Sequence, residues 1–246
     1  MTPKQESEET NMECVREPVT VMKRYEWKFI LSAEQTDFFC ERLEGHMEAD
    51  AYGLTTIQSL YYDTPDRQLI RTSVEKPEFK EKIRLRAYGS AAETTPVYLE
   101  LKRKASGIVY KRRAQTTVPE AERFLSGKAE LHEDGQIERE ITYFRDYYRS
   151  LVPSCMILYD RTAYFEPDGD LRLTIDRNPR YRTEQLRFDV ALVGLPLLGP
   201  GETILEVKVQ DTIPLWLVKI LSEGKIKHGS ISKYGEAYRQ QIMGTL

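Results

Sequence analysis

KEKIRLRAY, residues 80–88, places Lys80, Lys82, Arg84 and Arg86 on one parity and Ile83, Leu85 and Ala87 on the other. Successive side chains of a β-strand point to opposite faces, so this stretch predicts a strand that is apolar on one side and wholly cationic on the other. VYLELKRK at 97–104 repeats the pattern, with Tyr98, Glu100, Lys102 and Lys104 against Val97, Leu99 and Leu101. Past a turn at Gly107, residues 108–118 carry Lys111, Arg112 and Arg113. Between Lys80 and Arg113 stand ten basic residues and three acidic ones, an excess of about seven positive charges. An open antiparallel sheet with this face in water is one reading, since solvated charges cost little. Like charges directly opposite one another destabilise a sheet, however, and a solvated face ordinarily mixes signs. A sheet closed into a barrel explains the block better: apolar outside against helices, cationic inside, with an anionic ligand neutralising the interior.

The alternation extends outward from this block in both directions. Residues 23–31 set Arg24, Glu26 and Lys28 against Tyr25, Trp27, Phe29 and Leu31. Strands are predicted at 58–63, at 156–165 with Asp160 and Arg161, and at 171–177, where Arg172, Thr174 and Asp176 oppose Leu171, Leu173 and Ile175. At 203–209, Ile204, Glu206 and Lys208 oppose Leu205, Val207 and Val209, which completes eight strands. Helices are expected from Ser32, with Gln35 placed for a capping box, and near 119–127, 134–150, 214–223 and 232–243. Trp27, Trp216 and the aromatics Tyr143, Phe144, Tyr147 and Tyr148 read as packing residues. The expected fold is therefore α+β: a closed antiparallel eight-stranded β-barrel tunnel with surrounding α-helices. It forms one domain over residues 21–246, preceded by an acidic, solvated arm at 1–20.

Composition narrows the function classes. The 246 residues include 36 Lys+Arg and 39 Asp+Glu, a formal net charge of -3, which argues against coating nucleic acid by bulk charge. The longest apolar stretch, 190–198, is interrupted by Gly194 and Pro196 and is about half of the ~20 residues a membrane-spanning helix needs. No apolar signal segment opens the chain, and the three cysteines show no paired spacing, so a cytoplasmic protein with reduced thiols is expected. The histidines lack zinc-ligand spacing, and no glycine-rich phosphate loop occurs.

An interior of arginine and lysine with a few carboxylates suits a polyanion and a divalent metal. Arginine forks grip phosphate oxygens in pairs and lysine supplies point charge. Glu26, Glu100, Asp176 and Glu206 are hard oxygen donors of the kind magnesium and manganese take. Phosphoryl transfer asks for positioning and charge neutralisation more than for a nucleophilic side chain.

The motifs RYEWKF (24–29), SLYYDTP (59–65), KIRLRAYG (82–89), VYLELKRK (97–104), KRR (111–113), YDRTAY (159–164), LRLTID (171–176), LEVK (205–208) and SKY (232–234) occur in this order. Together they resemble the VTC domain, the catalytic domain of polyphosphate polymerases and a member of the triphosphate tunnel metalloenzymes, over about residues 22–240. The resemblance implies a tunnel that binds ATP and inorganic polyphosphate or triphosphate with Mn2+ or Mg2+. By motif it implies phosphate binding by Lys28, Arg84, Arg86, Lys102, Lys111, Arg161, Arg172, Lys208 and Lys233, with Lys28, Arg84, Arg86, Lys102 and Glu206 at the centre of catalysis. Glu206 would hold the metal. Glu26 would either join it or orient Arg24 and Lys28, and Lys82 shares the strand face of Arg84 and Arg86. Hydrolytic members open with E-x-E-x-K, whereas this chain has Arg24 in the first place. One carboxylate fewer and one cation more favour gripping a polyanion over activating water. The expected function is a polyphosphate polymerase, with a metal-dependent triphosphatase or a non-catalytic polyphosphate binder as alternatives. No nucleic acid is expected to bind, and coupling to a membrane would need a membrane-protein partner.

Overall fold

The computed structural model describes residues 25–106, 108–131 and 135–244. Arg24, the arm at 1–20 and the turn residue Gly107 lie outside the described residues. In chain order the elements are β1 (Tyr25–Leu31), α1 (Ala33–Glu41), β2 (Glu48–Ala49), β3 (Thr55–Asp63), α2 (Gln68–Val74), β4 (Lys80–Tyr88), β5 (Val97–Ala105) and β6 (Ile108–Thr116). They continue with α3 (Val118–Leu125), α4 (Gln136–Tyr148), β7 (Val152–Phe165), β8 (Arg172–Arg182), β9 (Leu195–Pro196), β10 (Thr203–Val209), α5 (Leu215–Glu223), β11 (His228–Gly229) and α6 (Lys233–Met243). The fold is α+β, and all eight expected strands form.

The strands pair antiparallel in the order β11-β1-β10-β8-β7-β3-β4-β5-β6, with β2 added to β7 and β9 to β8. The expectation of a closed barrel is corrected here: among the described residues no ladder joins β6 to β1, so the sheet is open. The physical reason lies at the outer edge of β1. There Lys28 and Phe29 pair with Gly229 and His228 of β11, which takes up the ladder positions that closure would use. The sheet nevertheless curls until its two ends face each other. Lys102 on β5 lies within electrostatic reach of Glu26 and Lys28 on β1, and so does Lys82 on β4 of Lys28.

Three apolar clusters hold this shape. Phe29, Leu31, Leu173, Ile175, Leu205 and Val207 pack outward against Phe39 of α1 and Leu217 and Ile220 of α5. Leu60, Ile83, Leu85, Leu99, Leu101 and Leu158 pack outward against Phe124 of α3 and Ile141 and Phe144 of α4. The third cluster lies on the concave face at one end, where Ile57, Tyr61, Ile157, Tyr159 and Tyr181 meet Ile70 of α2 and Tyr234 and Ala237 of α6. Helix α6 thus fills one end of the groove. Removing such surface from water supplies the main driving force for the curled shape. Trp27 and Trp216 pack as expected, but Tyr143 and Tyr147 point into solvent.

Local chemistry fixes the helices. Ser32 and Gln35 form the expected capping box, each side chain bonding the other's backbone N–H. Helix α2 went unforeseen because no capping residue adjoins it: Arg67 precedes it in the left-handed region at φ 61. The carboxylate of Asp63 caps it from a distance, accepting from the N–H groups of Leu69 and Ile70 at 2.8 and 3.0 Å. The same carboxylate accepts from the Tyr234 hydroxyl at 2.9 Å, which ties α2 to α6. No helix among the described residues is long and apolar enough to cross a membrane.

Candidate functional site

The concave face gathers two clusters of charge. The first centres on Glu206 of β10. Lys28 Nζ lies 3.0 Å from Glu206 and 3.2 Å from Glu26, so one ammonium sits between both carboxylates. Lys208 Nζ is 3.3 Å from the other oxygen of Glu206, and Arg161 is 3.6 Å from it. Arg161 also grips Asp176 through two bonds of 2.6 and 2.8 Å. Lys233, at the start of α6, reaches Asp176 at 2.5 Å and Glu206 at 3.6 Å. The register explains the assembly: Lys28, Glu206 and Thr174 are cross-strand neighbours, and Asp176 lies opposite Arg161.

The second cluster centres on Glu100 of β5, which is 1% exposed. Arg84 Nη2 lies 2.7 Å away, Lys111 Nζ 2.9 Å, Arg113 Nη2 2.5 Å and Arg86 Nε 3.7 Å. Arg84 also donates to the Tyr61 hydroxyl at 2.8 Å, and Arg86 to the Tyr159 hydroxyl at 3.2 Å. A carboxylate held this way is an internal counter-ion that aims four cations into the groove.

These neighbours reset the proton affinities. Burial alone would push the Glu206 carboxyl up, but Lys233, Lys28 and Lys208 hold it well below the ordinary carboxylate range. Burial likewise opposes ionisation of Glu100, and Arg84, Arg86 and Lys111 overcome it, again lowering the carboxyl. Burial works against the charge on Lys28 too, yet Glu206 and Glu26 hold its ammonium above an ordinary lysine. Lys82 lacks such support: burial, then Lys102 and Lys80, brings it down to about 7. Lys111 falls to about 8 through burial, which its contact with Glu100 only partly offsets.

Beside the clusters runs a ladder of like charges. Lys82, Lys102 and Lys111 are direct cross-strand neighbours on β4, β5 and β6, and Lys80 faces Lys104 in the adjoining row. Among the described residues Lys80, Lys82, Lys102 and Lys104 have no carboxylate partner; Lys82 donates only to the Ser232 hydroxyl, at 3.1 Å. Such rows are repulsive unless an anion lies over them. The arrangement can bind a chain of phosphates.

Most residues singled out in the sequence meet here: Glu26, Lys28, Lys82, Arg84, Arg86, Lys102, Lys111, Arg161, Glu206, Lys208 and Lys233. Arg172 does not. It has the inward parity, but its guanidinium turns back to the carbonyls of Gly169 and Leu171 at the strand's end, over the ring of Phe165. Arg24 lies outside the described residues. Two members of the basic block also face away from the groove: Arg103 bonds Glu81 at 2.5 Å, and Arg112 grips Glu140 of α4 at 2.9 and 3.1 Å. Strand parity carried that signal, because both share the parity of the apolar face. Arg113, Tyr61, Tyr159 and Ser232 are site residues that the motif comparison passed over. Tyr61 and Tyr159 were recoverable from parity, whereas Ser232 depended on how α6 docks.

The resemblance implies a divalent ion. No group of three or more His, Cys, Asp or Glu side chains suited to a metal occurs among the described residues. Glu26 and Glu206 do converge on one point, the place of Lys28 Nζ. Next to Glu206 in the register, the buried Thr174 hydroxyl has no hydrogen-bond partner. Magnesium commonly takes only one or two carboxylates from a protein and completes its shell with phosphate oxygens and water. The donor set fits an ion that arrives with a phosphate ligand.

A family model described as the VTC domain matches residues 23–242. No curated protein matches the chain. Solved structures that share the fold include two described as cyclases. One, a candidate adenylate cyclase from Bacillus halodurans, is 15% identical, with a TM-score of 0.53 over 85% of this chain and 94% of that one. The other, a candidate adenylyl cyclase from Hippeastrum with a dominant triphosphatase activity, is 18% identical, with a TM-score of 0.52 over 87% and 93%. At these identities the likeness is one of fold, the triphosphate tunnel fold.

Proposed function

The chain belongs to the VTC domain family, and from that premise we propose that it is a polyphosphate polymerase, moving the γ-phosphate of ATP onto the end of a growing polyphosphate chain along the cationic groove. The observation that carries this reading is the lysine ladder, in which Lys80, Lys82, Lys102 and Lys104 have no carboxylate partner among the described residues. From Lys80 to Arg86 the inner face of β4 is cationic at every inward position, a track of about 20 Å at strand rise. That length outruns a single triphosphate and suits a chain.

Arg84 and Arg86, aimed by Glu100, grip phosphate oxygens with their planar forks. Lys28, Lys82, Lys102 and Lys233 crowd positive charge around the group in transfer, where it offsets the charge spread over the phosphoryl oxygens. Lys111, Arg161 and Lys208 hold the flanking phosphates. An oxygen of the chain end attacks the γ-phosphorus, the bond to the β-phosphate oxygen breaks, and ADP leaves; no side chain is consumed. Glu206 and Glu26 would hold Mn2+ or Mg2+, which when bound draws charge from the phosphate oxygens it shares. The unpaired thiols Cys40 and Cys155 support a reducing cytoplasm as the setting, and coupling to a membrane would fall to a partner protein.

Incubating the purified protein with ATP and manganese and resolving the products should give long phosphate chains and ADP. ADP without chains refutes the polymerase. The second reading, a triphosphatase, is favoured by the fold shared with the Hippeastrum protein; it predicts orthophosphate release from triphosphate. Metal-independent binding without turnover would mark a non-catalytic polyphosphate binder.

A further inference from the structure

The inner face of β4 and β5 changes chemistry along its length. In register it passes from Lys80 and Lys104, through Lys82 and Lys102, then Arg84 and Glu100, to Arg86 and Tyr98. Tyr88, two residues on, ends the inward parity of β4. Helix α6 lies toward the lysine half: Ser232 accepts from Lys82, and the Tyr234 ring stacks on Tyr61 with centroids 4.3 Å apart. The other end is aromatic. Tyr88 and Tyr98 meet edge to face at 5.8 Å and 80°. Arg113 joins them to the charged cluster, lying 4.5 Å over the Tyr98 ring and donating to the Tyr88 hydroxyl at 2.9 Å while it holds Glu100.

Tyr88 is 42% exposed although its parity faces the groove. A large ring left half open at the end of a phosphate-binding row has a face to offer a flat, uncharged group. We propose that Tyr88 and Tyr98 form the seat of a nucleobase, so that a nucleoside triphosphate lies along β4 with its base at the tyrosines and its γ-phosphate toward α6. This rests on the reading above that the groove takes such a substrate. The phosphates then pass Arg86 and Arg84 in order and end among Lys82, Lys102 and Lys28. One strand step of two residues, about 7 Å, separates Tyr88 from Arg86, which is room for the sugar between base and first phosphate. Stacking on a tyrosine, with a guanidinium held beside it, is indifferent to base identity because every base has a π-face. The seat accordingly serves nucleoside triphosphates as a class. The polarity also places the acceptor chain on the lysine side, next to α6.

The test measures affinity for ATP and for inorganic triphosphate, by calorimetry in one magnesium buffer, on the wild-type protein and on Tyr88→Ala, Tyr98→Leu and Tyr88→Phe. Loss of a stacking ring should weaken ATP by roughly tenfold while leaving triphosphate within about twofold, and Tyr88→Phe should keep ATP affinity. Intact triphosphate binding also certifies that each variant is folded. ATP affinity unchanged in both ring-deleted variants, or lost in step with triphosphate, overturns the seat. A wild-type protein that binds neither ligand refutes the phosphate reading itself, which is a separate outcome.

Discussion

Replacing Glu100 by glutamine would remove a single negative charge while preserving shape, and would turn one of its two acceptor oxygens into an NH2 donor. In the folded protein that carboxylate faces Arg84, Arg86, Lys111 and Arg113 at 2.5–3.7 Å and is 1% exposed. Breaking a buried ion pair on one side costs about 3–5 kcal/mol, because the partner is left charged and unpaired. Lys111 and Arg113 reach water, with side chains 47% and 37% exposed, so the lower end, about 3 kcal/mol, applies here. For a domain of this size, 1 kcal/mol shifts Tm by roughly 2–4 °C, which gives a fall of about 6–12 °C. Thermal melts without ligand should show it. Inorganic triphosphate should then raise the Tm of Glu100→Gln by more than it raises the wild type, since the groove has gained one net positive charge for an anion to meet. A Tm unchanged by the substitution, or a ligand-induced gain no larger than the wild type's, would refute the assignment of Glu100 as an internal counter-ion. The pH dependence carries the same signature. The folded carboxyl lies below its unfolded value, so its stabilisation is fully present above the ordinary glutamate pKa and is lost as pH falls into the acid range beneath it.

Two further predictions follow from the cationic face. With Lys82 at about 7 and Lys111 at about 8, triphosphate binding near pH 8 should take up protons as the anion restores charge to both. Calorimetry in buffers of different ionisation enthalpy measures that uptake, and Lys82→Met should reduce it; no proton uptake in the wild type would refute the depressed lysines. The inward and outward members of the basic block should also separate cleanly. Lys102→Ala should weaken triphosphate binding and flatten its salt dependence, whereas Arg112→Ala, which removes contacts with Glu140 and the Lys111 carbonyl on the outward side, should leave both intact.

The eight long strands were legible because a period-two alternation of charged and apolar residues leaves little freedom in how each strand faces the core. The inward residues followed from parity, including Glu26, Lys28, Arg84, Lys102 and Glu206. Reading 80–113 as one interior block overlooked that same parity at Arg103 and Arg112. Closure was misread because it turns on β11, a two-residue strand too short to carry a pattern, which takes the edge of β1. Helix α2 escaped because its cap, Asp63, is spatially close but lies before an irregular turn. The role of Glu100 was hidden for a related reason: parity shows that it faces inward, but not that four cations from the two flanking strands converge on it. Arg172 had the right parity at a strand end, where backbone carbonyls were the nearer partners.

Asp63 has a consequence for how the molecule comes into being. Its carboxylate joins the start of α2 to Tyr234, 171 residues further along the chain, and Lys233 beside that tyrosine neutralises Asp176 and Glu206. A nascent chain that ends before residue 233 therefore has its sheet residues but an unfinished anion site, with two buried carboxylates short of a counter-ion. The binding groove is therefore completed only when α6 has docked and Lys233 has joined Asp176 and Glu206.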